Sequence, residues 1–134
     1  MKVYPTNKIR NIALVGHGGT GKTSLVEAML YNTGATKRLG KVDDGNTVAD
    51  YLPEEIKKKI TISTALVPCE YRDHKINVLD TPGYADFYYE VVGAMRVVES
   101  AMMVVSASAG VEVQTEVIWE EFPDIPKLVF INKM

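Results

Sequence analysis

The sequence predicts an α/β fold in three layers, with a mostly parallel sheet and one antiparallel edge strand. Three observations predict it. Short apolar runs at residues 11–15, 101–105 and 127–131 alternate with stretches whose apolar residues recur at helical spacing. A glycine-rich loop at 16–23 separates the first run from the first helical stretch. Arg72-Asp73 forms a turn between two strand-like runs, which gives one hairpin in an otherwise alternating chain. Such alternation lays parallel strands side by side, covers both faces with helices, and puts ligands at the carboxyl ends of the strands.

Taken in order, residues 1–10 read as a lead-in. Asn11-Ile12-Ala13-Leu14-Val15 is a buried strand that ends at Gly16. From Thr23, Leu25, Val26, Met29 and Leu30 fall on one helical face, and Gly34 stands where that helix stops. Residues 34–60 are punctuated by Gly40, Asp43, Asp44, Gly45 and Asn46, all turn formers. An irregular stretch of that length inside a compact domain is functional or disordered. Only 51–60 reads as helix, with Pro53 near its start. Glu54 and Glu55 precede Lys58 and Lys59 by four, the favourable order for helical ion pairs, so Lys57-Lys58-Lys59 reads as a solvated face. Residues 61–71 read as a strand, placed at a sheet edge by Pro68, and 75–79 as its returning partner. Asp86 is a cap for a helix that turns Phe87, Val91, Met95 and Val98 inward. Val113, Val117, Ile118 and Phe122 mark a further helix, stopped by Pro123.

The chain has 134 residues, enough for one domain. With 46% hydrophobic and 24% charged residues it has a globular composition. A net charge of -2 argues against gripping nucleic acid through bulk positive charge, so no DNA partner is expected. The run 101–105 is far too short to span a bilayer, so no membrane partner is expected either. The single cysteine, Cys69, excludes an internal disulfide and fits a reducing cytoplasm as a small strand residue.

Chemistry concentrates in three motifs. Gly16-His17-Gly18-Gly19-Thr20-Gly21-Lys22-Thr23 matches the phosphate-loop pattern and sits where the pattern must, after a strand and opening a helix. Glycines let main-chain N–H groups curl towards phosphates, and the helix start adds positive potential. Lys22 is expected to reach the β- and γ-phosphates and the Thr23 hydroxyl to ligate Mg2+, with Ser24 beside them. This motif alone fits GTPases, ATPases and kinases. Asp80-Thr81-Pro82-Gly83 follows the strand ending at Leu79. Its carboxylate can hold the magnesium shell, and the Gly83 amide can bond the γ-phosphate and lose that bond when the phosphate leaves. Asn132-Lys133 ends the last strand, where a guanine pocket uses Asn-Lys-x-Asp. The chain stops at Met134, before that aspartate, so weak guanine selectivity is expected.

These residues, with Ile60-Thr61-Ile62, Asp86-Phe87 and Asn132-Lys133-Met134, resemble the nucleotide domain of elongation factor G, most narrowly its elongation-factor-G-like paralogues. The resemblance runs from about Arg10 to Met134. It implies a P-loop NTPase of the Ras-like G domain type, with the P-loop at 16–23, switch I at about 34–61 and switch II at about 80–90. It further implies GTP and GDP as ligands, Thr61 as a Mg2+ ligand in the GTP state, and hydrolysis coupled to the ribosome. The family's domain continues with one more strand and a helix, so a truncated product with an uncovered apolar edge at 127–131 is expected.

The sequence departs from the family pattern at several positions. Tyr84 stands where translational GTPases place a water-orienting histidine. A phenol holds its proton at neutral pH and is a poor acceptor, so Tyr84 predicts slow hydrolysis with binding retained. Gly19 replaces a common aspartate, which argues against a monovalent-cation site. Lys59 replaces a glycine before Ile-Thr-Ile, and Tyr88 and Tyr89 stand where a small residue is usual. Three alternatives to a GTPase follow: a non-catalytic GTP/GDP-binding module, an inert fragment, and an ATP-using phosphotransferase. Asn132-Lys133 argues against the last.

Overall fold

The computed structural model describes residues 2–134. Strands β1 (Ile9–Val15), β2 (Ala65–Tyr71), β3 (His74–Asp80), β4 (Ser100–Ser106) and β5 (Lys127–Asn132) form one sheet in the order β2-β3-β1-β4-β5. Of the four strand pairs among the described residues, only β2–β3 is antiparallel. Helices α1 (Lys22–Asn32), α2 (Pro53–Lys58), α3 (Tyr88–Met95) and α4 (Val113–Glu121) connect the strands. The expected α/β architecture is therefore present, with β1 at the centre.

Strand periodicity splits the core in two. Leu14, Val67, Cys69, Val78 and Val104 face α1, where Val26 and Leu30 meet them. Ala13, Val15, Ala101 and Met103 face the other way, onto Val91, Ala94 and Met95 of α3 and Ile118 of α4. Cys69 is thus a packed strand residue, and burial pushes its thiol pKa up.

Local signals explain most boundaries. α1 ends in a Schellman motif: Gly34 takes a φ of 74°, its N–H bonds Tyr31 O, and the Ala35 N–H bonds Leu30 O. The β2–β3 hairpin turns on Arg72 and Asp73, both at positive φ (46° and 59°), the geometry that a tight hairpin of right-twisted strands requires.

Four expectations need correction. The lead-in is shorter than residues 1–10, because Ile9 and Arg10 already pair with Lys75 and Ile76 in β3. β2 begins at Ala65 rather than Thr61: the amides of Ile62, Ser63 and Thr64 bond side-chain carboxylates and are withdrawn from the sheet. Asp86 makes no cap; it lies in a 3-10 turn (Ala85–Phe87), α3 starts at Tyr88, and Val98 packs on the core from beyond the helix. The Lys57–Lys59 run is exposed as expected, but Glu55 is buried and does not pair with Lys59, whose ammonium lies 3.9 Å from Asp43.

Lys59 ends α2 in the left-handed region, at φ 56° and ψ 39°. A β-carbon there costs about 1 kcal/mol, whereas glycine adopts it freely at the expense of unfolded-state entropy. Lys59→Gly is expected to stabilise the chain by ~0.5 kcal/mol and Lys59→Val to destabilise it by ~1 kcal/mol, read by urea unfolding. Equal stability of the two variants would contradict this.

At the far edge, β5 leaves Leu128 63% and Ile131 56% exposed, with Val129 and Phe130 also open. An apolar edge with free main-chain groups is a template for association with other chains.

Candidate nucleotide-binding site

The carboxyl ends of β1, β3, β4 and β5 lie along one rim of the sheet, and the chain changes direction across the sheet at β1. Ligands favour that crevice in open α/β sheets. Here it is a cleft of about 280 Å³, lined by Gly18, Gly19, Gly21, Lys22, Thr23, Ser24, Asp50, Thr61, Gly83, Tyr84 and Lys133 among others.

The loop between β1 and α1 is shaped by its neighbours. Gly21 sits at φ 96°, and a β-carbon there would run into the Asn132 amide. Asn132 donates to Thr20 O at 3.0 Å and Lys133 to Gly19 O at 2.6 Å, so the end of β5 fastens the loop from outside. Thr20 closes it from within through His17 O. His17 Nε2 lies 3.6 Å from Glu112, and its Nδ1 is buried with no partner among the described residues. Lys22 bonds Gly16 O and His17 O at 3.0 and 2.9 Å, leaving one N–H of its ammonium for another acceptor. Burial lowers its pKa to about 8, against the opposing pull of Asp80 and Glu112.

The segment after β3 presses onto this loop. A β-carbon on Gly83 would come within 2.5 Å of Lys22 Nζ and 2.6 Å of Gly18 N, so only glycine fits. Tyr84, 44% exposed, lays its ring over Gly18. Thr81 is spent on architecture: its hydroxyl and amide both bond Leu14 O, which fixes Asp80 and Gly83 on either side. Thr81 and Pro82 are buried beneath the cleft, on the sheet side of Gly83.

A chain of oxygens crosses the cleft floor. Thr23 donates to Asp80 Oδ2 at 2.7 Å and lies 3.0 Å from the Thr61 hydroxyl, which donates to Asp50 at 2.8 Å. Asp80 Oδ1 is buried with no partner among the described residues. Burial raises the Asp80 pKa to about 7, more than the Thr23 hydrogen bond and the Lys22 charge offset, and it also raises that of Asp50. Hydroxyl and carboxylate oxygens gathered around such an orphaned acceptor suit a hard divalent cation such as Mg2+. Asp50 was not singled out from the sequence; an acidic residue inside a turn-rich stretch carries no local signal of its partners.

The sequence does not reveal the roles of three further carboxylates. Glu27 on α1, wholly buried, accepts from the Val48 and Ala49 amides. Glu55 accepts from four amides of the 51–63 segment. Glu90 on α3 accepts from Thr64 N at 2.7 Å. Tyr88, close by on the same helix, bonds Glu121 of α4 and packs on the core, whereas Tyr89 is exposed.

Residues 7–134 match the family described as the elongation factor Tu GTP binding domain. The chain belongs to this family. Among relatives of this elongation factor Tu GTP binding domain, ribosome-releasing factor 2, mitochondrial, of Candida albicans is 47% identical over 129 residues, covering 95% of this chain and 16% of that protein. The protein of the same name in Kluyveromyces lactis is 44% identical over 132 residues, covering 98% and 16%. A crystal structure of a Thermus thermophilus protein aligns with a TM-score of 0.89 at 45% identity, covering 92% of this chain and 19% of that one. The chain therefore spans about a sixth of the length of these curated relatives. The expected P-loop G domain fold and family are both borne out. Among the described residues, no helix is long and apolar enough to cross a membrane.

Proposed function

We propose that this chain binds GTP and GDP with Mg2+ and hydrolyses GTP slowly, as the G domain of an elongation-factor-G-like GTPase that works on the ribosome. The observation that carries this reading is the convergence of Lys22, Thr23, Thr61, Asp80 and Gly83 on one amide-lined loop. In it, the main-chain amides of Gly16 to Gly21 wrap the phosphates, and the free N–H of Lys22 reaches the β- and γ-phosphate oxygens. Thr23, Thr61 and Asp80 hold Mg2+, with Asp50 orienting the Thr61 hydroxyl. When bound, the cation neutralises charge on the β- and γ-phosphate oxygens. The Gly83 N–H bonds the γ-phosphate, and Asn132 and Lys133 flank the base. Residues 34–61 and 80–90 are the segments that respond to the γ-phosphate. Tyr84 occupies the place of the water-orienting group and, as a phenol, takes up no proton there, which makes turnover slow.

The ribosomal role is supported by the relatives, whose name describes a ribosome-releasing factor. A reducing compartment with ribosomes, the cytoplasm, fits a lone buried thiol; the mitochondrial naming of the yeast relatives fits an organelle with its own ribosomes.

Titration of the purified chain with labelled GTP, GDP and ATP, with Mg2+ and with EDTA, tests the proposal. Saturable guanine binding strengthened by Mg2+, with slow phosphate release, is the expected result. Guanine binding without any release would leave a non-catalytic module. A preference for ATP, or no saturable binding, would overturn the assignment.

A further inference from the structure

We propose that Glu55 is a positioning residue, whose carboxylate fastens both ends of residues 51–63 to one point and so holds the Thr61 hydroxyl beside Thr23 and Asp80. This inference rests on the reading of Thr23, Thr61 and Asp80 as the cation-holding set.

Glu55 Oε2 accepts from the amides of Tyr51 and Leu52 at 3.1 and 3.0 Å. Oε1 accepts from the amides of Ile62 and Ser63 at 3.0 and 3.1 Å. The first pair directly follows Asp50, and the second directly follows Thr61. One side chain therefore brings Asp50 and Thr61 side by side, and their 2.8 Å hydrogen bond spans the gap it sets. With two lone pairs on each oxygen, the carboxylate's four acceptor sites are all used. The residue is 1% exposed, so water does not replace a lost bond cheaply. Between the two anchored ends run α2 and the left-handed turn at Lys59. The sheet does not hold this segment, because β2 starts only at Ala65.

Glutamine has the same shape but only one oxygen. Its NH2 group would face two N–H donors, so one end of the segment must detach. Aspartate keeps the charge with a shorter reach.

Two measurements on the full chain test the inference. The first is the affinity for labelled GTP in Mg2+ and in EDTA. Glu55→Gln and Glu55→Ala are expected to shrink the Mg2+-dependent gain about tenfold, roughly one lost charge-assisted hydrogen bond, with the EDTA affinity changed less than about twofold. Glu55→Asp is expected to fall between these variants and the wild type. An unchanged Mg2+ gain in Glu55→Gln overturns the inference, as does an equal loss in both conditions, which marks a general loss of fold. A wild-type chain indifferent to Mg2+ overturns the cation-holding reading and this inference with it. The second is limited trypsin digestion without nucleotide. Cleavage at Lys57, Lys58 and Lys59 is expected to accelerate about tenfold in Glu55→Gln, with cleavage at Lys75 in β3 unchanged. Equal acceleration at both places overturns the positional role.

Discussion

Lys22→Ala is expected to weaken GTP binding on the order of 10²–10³-fold while the chain still folds. The ammonium is buried, held by the Gly16 and His17 carbonyls, and has one N–H left for a phosphate. Removing one partner of a buried charged hydrogen bond costs ~2–5 kcal/mol, and each ~1.4 kcal/mol is tenfold in affinity. Folding is less affected, because shedding the cost of burying a charge offsets the two carbonyls left without their donor. Lys22→Arg is no rescue: Gly83 is packed so closely on the ammonium that a guanidinium has no room. Isothermal titration with GTP–Mg2+ measures the loss, and far-UV circular dichroism checks the fold. Unchanged affinity would remove the basis of the proposed function. A pH series supplies a control. Burial lowers the Lys22 pKa from 10.5 to about 8, so between those values the unfolded chain holds a proton that the folded chain has released. Stability contributed by this group therefore rises as pH climbs from about 8 towards 10.5, and Lys22→Ala abolishes that rise.

Tyr84→His is expected to raise single-turnover GTP hydrolysis about 10²-fold with little change in affinity. Tyr84 lies on the cleft beside Gly83, with its ring against Gly18, so its side chain stands next to the proposed γ-phosphate position. A well-placed acid–base group contributes typically ~10²–10⁴-fold, and an imidazole can accept a proton at neutral pH where a phenol does not. The smaller ring fits the same space. Tyr84→Phe separates the contributions: a rate equal to wild type means the phenol hydroxyl takes no part. If Tyr84→His turns over no faster than wild type, the slow step lies elsewhere and Tyr84 is a packing residue.

Much of the fold was legible because its signals are local. The phosphate loop, the Schellman stop at Gly34, the hairpin turn at Arg72-Asp73 and the edge position of Pro68 each depend on residues within a few positions of one another. Failures came where distant groups override local preference. Ile60-Thr61-Ile62 has the β-branched pattern of a strand, yet the amides of residues 62–64 go to Glu55 and Glu90, so the sheet never receives them. Glu55 did carry a trace of its role, as a glutamate three residues into a proline-led helix, where half of a capping box is formed. The four-residue spacing to Lys59, which suggests an exposed ion pair, masks that trace. For Glu27, Glu90 and Asp50 no local signal exists, since their partners lie 11 to 26 residues away.

The bond between Glu90 and the Thr64 amide has a mechanical consequence. α3 carries that carboxylate and is itself tethered to α4 by Tyr88 and Glu121. Thr64 follows Thr61 closely in the chain, so any displacement of α3 acts directly on the stretch that bears the Thr61 hydroxyl.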